Sequence, residues 1–131
     1  MILQDKIIVV TGGAQGIGKA IVEVLVQKGA YVVIADIDDK AGNQTIKEIV
    51  NCEFYHIDLC NDDEIEKMFA YVYEKFGRID SLINDAGIQI RNWATDFDLN
   101  EFDKVINLNL RAYYVCSRTA ARYMKEQHAG T

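Results

Sequence analysis

The stretch Thr11-Gly12-Gly13-Ala14-Gln15-Gly16-Ile17-Gly18 constrains this chain more than any other part of it. It follows directly on the apolar run Ile7 to Val10, which reads as a strand, and leads without a break into a segment of helical periodicity. Glycines between a strand and a helix allow a tight turn, let a backbone approach a pyrophosphate, and let the helix pack close to the sheet. The helix N-terminus adds unpaired N–H groups and a partial positive charge. A glycine-rich turn alone is an ordinary strand-to-helix loop. Here strand, turn and helix stand in the order a phosphate cradle requires, so Gly12, Gln15, Gly16, Ile17 and Gly18 are expected to hold a nucleotide's phosphates.

The same alternation continues along the chain. Apolar runs at Ile7 to Val10, Tyr31 to Ala35, Glu53 to Ile57 and Asp80 to Ile83 are separated by helical segments, the pattern of βαβ units and a parallel sheet. The first helix begins near Gly16, with Ile17, Ile21, Val24 and Leu25 on its inner face, and stops at Gly29. The second runs from about Asp38 to Val50. The third opens on the cap pair Asn61 and Glu64 and sets Ile65, Met68, Phe69, Val72 and Phe76 on one face before Gly77. The fourth opens on the pair Asp98 and Glu101 and extends to about Gln127. Right-handed crossovers then give an α/β doubly wound parallel sheet of Rossmann type, strand order 3-2-1-4, with helices on both faces. Its ligand belongs at the carboxyl ends of strands 1 and 4, where the winding reverses.

With 131 residues, half of them hydrophobic and about a quarter charged, the chain suits a single globular domain, residues 1–131. The net charge of −6 and the lack of any Lys/Arg cluster argue against nucleic acid as a partner. No run is long and apolar enough for a membrane helix, and the N-terminus lacks the layout of a secretory signal, so a cytoplasmic protein is expected. Cys52, Cys60 and Cys116 show no paired spacing and read as free thiols. Cys52, His56 and Cys60 have the look of a metal set, but a strand spreads those positions over about 26 Å, too far for one ion. His56 and His128 have no Ser or Asp constellation around them and read as ordinary polar residues.

Asp36 ends the second strand, 18 residues after Gly18. A carboxylate there can accept both hydroxyls of an adenosine ribose and repels a 2′-phosphate. Neither Gln15 nor its neighbour Ile37 offers the positive charge that a 2′-phosphate wants, so NAD is expected rather than NADP.

With these residues in place the chain resembles the short-chain dehydrogenase/reductase family, in its single-domain Rossmann members. The glycine spacing matches that family's Thr-Gly-x-x-x-Gly-x-Gly. Asp58, with Leu59 beside it, resembles the family's Asp at the adenine amino group. Asn84-Asp85-Ala86-Gly87 resembles the family's Asn-Asn-Ala-Gly, whose first Asn and small residues line the cofactor; Asp85 departs from the pattern and loses that amide's donors. Asn109 looks like the helix Asn that assists a proton relay, with Asn107 a poorer match. The resemblance implies an oxidoreductase that moves hydride between NAD(H) and an alcohol or carbonyl, and a homo-oligomer packed through the fourth helix. It also implies a Ser, a Tyr base and a Lys four residues after the Tyr, all beyond the fourth helix, so that 131 residues stop short of the catalytic half and leave the fourth strand as an uncovered sheet edge.

One Tyr-x-x-x-Lys does occur, Tyr71 to Lys75, but inside the third helix, remote from the strand ends, where it reads as a chance match. A rival from another class is a self-sufficient nucleotide-binding or regulatory module. A response-regulator-like domain would want clustered acids after the first strand, where this chain has Thr11-Gly12-Gly13.

Overall fold

Strands rich in Val and Ile, apolar at successive positions, need cover on both faces, and the chain supplies it. In a computed structural model describing residues 2–131, β1 (Ile7–Thr11), β2 (Tyr31–Asp36), β3 (Cys52–His56) and β4 (Ser81–Asn84) form one parallel sheet in the order β3-β2-β1-β4. Val9 pairs with Val33 on one side and Leu82 on the other. The helices are α1 (Gly16–Gln27), α2 (Asp39–Glu48), α3 (Asp62–Phe76), α4 (Leu99–Ile106) and α5 (Ala112–Glu126), with a 3-10 turn at Ala94–Asp96 and a π-turn at Asn107–Arg111. One core sets Ile7, Val9 and Val33 against Ile65, Phe69 and Val72 of α3 and Val115 and Cys116 of α5. The other sets Ile8, Val10, Val32 and Ile34 against Val22 of α1, with Phe54 beside them.

The expected architecture and strand order are present, and the local differences have identifiable causes. Ile17 and Val24 do not face the core: Ile17 is 73% exposed, while Gly18 and Val22 are buried. Gly18 lies so close to the Gly12 carbonyl that it sets the helix's rotation, and residues 18, 22 and 25 then form the inward line. Helix α2 stops at Glu48 because Ile49 turns extended and is buried in the sheet's second core. Strand β3 starts and ends one residue earlier than expected, and β4 one residue later.

The long fourth helix is helical from Leu99 to Glu126 but is interrupted by the π-turn, whose extra residue resets the phase of the faces on either side. The edge of β4 is also not wholly uncovered. Thr131 donates its N–H to the Asp80 carbonyl at 3.0 Å and accepts from the Leu82 N–H at 2.9 Å, the pattern of a parallel pairing opposite Ser81. At the same amino end of β4, the Asp80 carboxylate accepts the Ile7 N–H at 2.9 Å and pairs with Lys6 and Arg78, joining β4 to the start of β1.

Candidate functional site

The crevice at the carboxyl ends of the strands is built by the glycine turn. Gly12 sits at φ +68°, donates its N–H to the Ala35 carbonyl at 2.8 Å, and passes so near the turn after β4 that a Cβ on it would lie 2.8 Å from the Ala86 Cα. Only glycine meets both demands. A Cβ on Gly18 would stand 2.1 Å from the Gly12 carbonyl oxygen, so the first turn of α1 is held against the loop. Buried Thr11 completes the junction: its Oγ1 accepts the N–H groups of Asp85 at 3.1 Å and Ala86 at 3.2 Å. That contact holds the turn after β4 even though Asp85 has no amide to donate.

The ends of the helices differ in a way that matters electrically. Asp38 caps α2, Asn61 caps α3 and Asp98 caps α4, each accepting backbone N–H groups with its side chain. Helix α1 has no such cap: Gln15 makes no side-chain hydrogen bond to it, and its first turn carries no acidic residue. Its free N–H groups and partial positive charge therefore remain available to an anion.

Next to that end lies a cavity of about 390 Å³. Of the residues expected to hold the nucleotide, Gly12, Gln15, Asp36, Ile37, Asp58, Leu59, Ala86 and Gly87 line it. Gly16, Ile17 and Gly18 start α1 beside it and are not part of its lining. Neither is Asn84, whose amide turns away to donate to the Ser117 hydroxyl at 3.1 Å. Asn109 also stands outside the lining. Its amide spans the backbone of Ile88, accepting the N–H at 2.8 Å and donating to the carbonyl at 2.8 Å, and so holds a residue that does line the crevice.

The sequence reading missed Ala35, Asp38, Ile57, Cys60, Asp85 and Leu108 as lining residues. Ile57 and Cys60 are sequence neighbours of Asp58 and could have been found by extension, while Leu108 is brought in by the π-turn and left no signal in the sequence.

Asp36 holds its place through two backbone donors. One carboxylate oxygen accepts the Ala14 N–H and the other the Asp38 N–H, both at 3.1 Å. Each oxygen keeps a lone pair for a ligand hydroxyl. Four carboxylates, those of Asp36, Asp38, Asp58 and Asp85, line the cavity with no Lys or Arg among them. Burial raises the pKa of the Cys60 thiol and Asp58 raises it further, with the Arg111 guanidinium pulling the other way.

Tyr71 and Lys75 lie at the opposite end of the sheet. Tyr71 donates to the Glu53 carboxylate at 2.8 Å, Lys75 pairs with the same carboxylate and with the Tyr71 hydroxyl at 3.0 Å, and Tyr31 adds a third bond to Glu53. Tyr31 is the first residue of β2 and Glu53 the second of β3, at the amino ends of the strands. His56 faces the Asp39 carboxylate at 2.8 Å, and all three cysteines are unpaired.

The pattern that describes the short chain dehydrogenase family matches residues 6–131. Short-chain dehydrogenase reductase 3b of Arabidopsis thaliana is 37% identical over 95% of this chain and 50% of its own length. Sorbitol-6-phosphate 2-dehydrogenase of Klebsiella pneumoniae is 34% identical over 98% of this chain and 50% of its own. A solved short chain dehydrogenase from Bacillus anthracis superposes with a TM-score of 0.93 at 32% identity, over 97% of this chain and 53% of that one. The chain belongs to the short chain dehydrogenase family, and its fold is that of the NAD(P)-binding portion of such oxidoreductases. It spans about half the length of the relatives it matches. Among the described residues no helix is long and apolar enough to cross a membrane.

Proposed function

We propose that this chain is the NAD-binding portion of an oxidoreductase acting on a small-molecule alcohol or carbonyl. Asp36 carries the reading: its half-buried carboxylate is fixed in the crevice at the end of β2, in a lining without a single cation. The uncapped N-terminus of α1, at Gly16, Ile17 and Gly18, holds the pyrophosphate. Asp36 and Ile37 meet the adenosine ribose, Asp58 and Leu59 the adenine, and Ala86 and Gly87 the remainder, with Asn84 behind them. The bound dinucleotide supplies the hydride acceptor or donor. Asn109 fixes Ile88 beside it and takes part in proton transfer.

The Tyr71–Lys75 pair lies at the far end of the sheet from the crevice, and we expect the 131 residues, a single domain, to bind cofactor without turning it over. The unpaired thiols support a cytoplasmic setting, and the exposed apolar residues of α4 and α5 support a homo-oligomer.

Calorimetric titration with NAD and NADP tests the assignment. NAD binds the more tightly, and Asp36→Ala weakens NAD by roughly 10- to 100-fold, the effect of losing hydrogen bonds to a charged acceptor, while it narrows the gap to NADP. Equal or reversed preference in the parent chain would overturn it.

A further inference from the structure

The two walls of the crevice come from distant parts of the chain. One is the turn Ile57 to Cys60 between β3 and α3; the other is the turn after β4, ending at Ile88, together with Leu108 of the π-turn. Each wall is braced internally. Glu64 accepts the Asp58 N–H at 2.8 Å and Asp58 accepts the Cys60 N–H at 2.9 Å, while Asn109 grips Ile88. Among the described residues two ion pairs join α3 to the helix that carries Leu108: Arg122–Glu66 lies farther along both helices, and Arg111–Asp62 is the one beside the crevice. Arg111, the last residue of the π-turn, lays its guanidinium along the carboxylate of Asp62, the first residue of α3, with parallel contacts of 2.6 and 2.8 Å. Asp62 stands two residues beyond Cys60, and Arg111 three beyond Leu108.

We propose that the Arg111–Asp62 pair is a clasp that sets the spacing of the two walls, and that both are positioning residues for dinucleotide binding. Neither lines the crevice; they act through Cys60 and Leu108, which do. A two-pronged guanidinium–carboxylate contact fixes an angle as well as a distance, which a lysine cannot do. The pair is about half exposed on both sides, so it adds little to the stability of the whole fold. Its effect falls instead on the fraction of molecules whose walls are correctly spaced, and apparent affinity scales with that fraction.

The inference rests on the proposed function, and one set of titrations separates the two. NAD affinity and melting temperature are measured for the parent chain, for Arg111→Gln, Arg111→Lys and Asp62→Asn, and for the reversed pair Asp62→Arg with Arg111→Asp. Each single variant raises the dissociation constant by about two- to fivefold, with the melt nearly unchanged, and Arg111→Lys behaves like the other singles. The reversed pair returns the affinity to within about twofold of the parent. A parent chain that binds no nucleotide overturns the proposed function and the clasp with it. A parent that binds, with single variants of equal affinity, overturns the clasp alone. So does a loss of affinity that tracks the melting temperature, or one that the reversed pair leaves unrepaired.

Discussion

Gly12 and Gly16 both adopt positive φ, yet they answer to different constraints, and the difference is measurable. A Cβ on Gly16 would meet nothing within 4 Å, so only the backbone conformation, φ +59°, resists substitution. A Cβ on Gly12 would also press on the Ala86 backbone at 2.8 Å. We expect Gly16→Ala to cost about 1 kcal/mol and Gly12→Ala roughly 3 kcal/mol, since the second adds overpacking to the left-handed penalty. Urea unfolding of both variants checks the order; equal costs would mean that the Gly12–Ala86 approach relaxes freely. Asp36 shows what residue-scale reading can and cannot reach. Its position after an apolar run makes it a candidate ribose acceptor from sequence alone, but its two backbone donors, Ala14 and Asp38, come from the folding of two loops onto one carboxylate.

At the scale of the element, the π-turn is the clearest case of structure beyond periodicity. An α-helix drawn through residues 99 to 126 by its caps is right at both ends and wrong in the middle, because one inserted residue leaves composition and end signals untouched. The join between β1 and β4 is another tertiary product, and it carries a pH dependence. Burial works to raise the Asp80 pKa, but hydrogen bonds from Arg78, the Ile7 N–H and Lys6 outweigh it and hold the carboxyl below its usual range. A depressed carboxylate adds stability above its unfolded value, about 4, and that contribution disappears as the pH falls through the lower folded value. We expect Asp80→Asn to cost about 2 kcal/mol at pH 7, with the gap to the parent unchanged down to about pH 5 and closing below pH 4. Denaturant melts across that range test it. A gap that persists at pH 2 would show that the charge is not the source.

For the whole molecule, the outer face of the last helices governs association. Leu99, Phe102, Ile106, Leu110 and Tyr113 recur at three- and four-residue spacing across the π-turn and are all exposed, Leu99 by 77% and Leu110 by 64%. Exposed apolar side chains on both sides of the π-turn favour pairing between copies. We expect light scattering at micromolar concentration to show a dimer or larger species, and Leu110→Lys to shift it toward monomer. A monodisperse parent monomer with a sharp cooperative melt would refute this and favour a self-sufficient binding module. The sheet edge at β4 is a weaker route to association than its sequence suggests, because Thr131 already pairs with part of it. The sequence by itself determined the class of fold, the strand order, the glycine turn and the acid at the end of β2, because these rest on local periodicity and on residues whose backbone freedom or charge is intrinsic. Only the tertiary structure decided which face of α1 turns inward, where the fourth helix opens into a π-turn, that Asn109 serves Ile88, and that Arg111 meets Asp62. Those outcomes depend on distances between segments far apart in the chain, and such distances are set when the helices pack on the sheet.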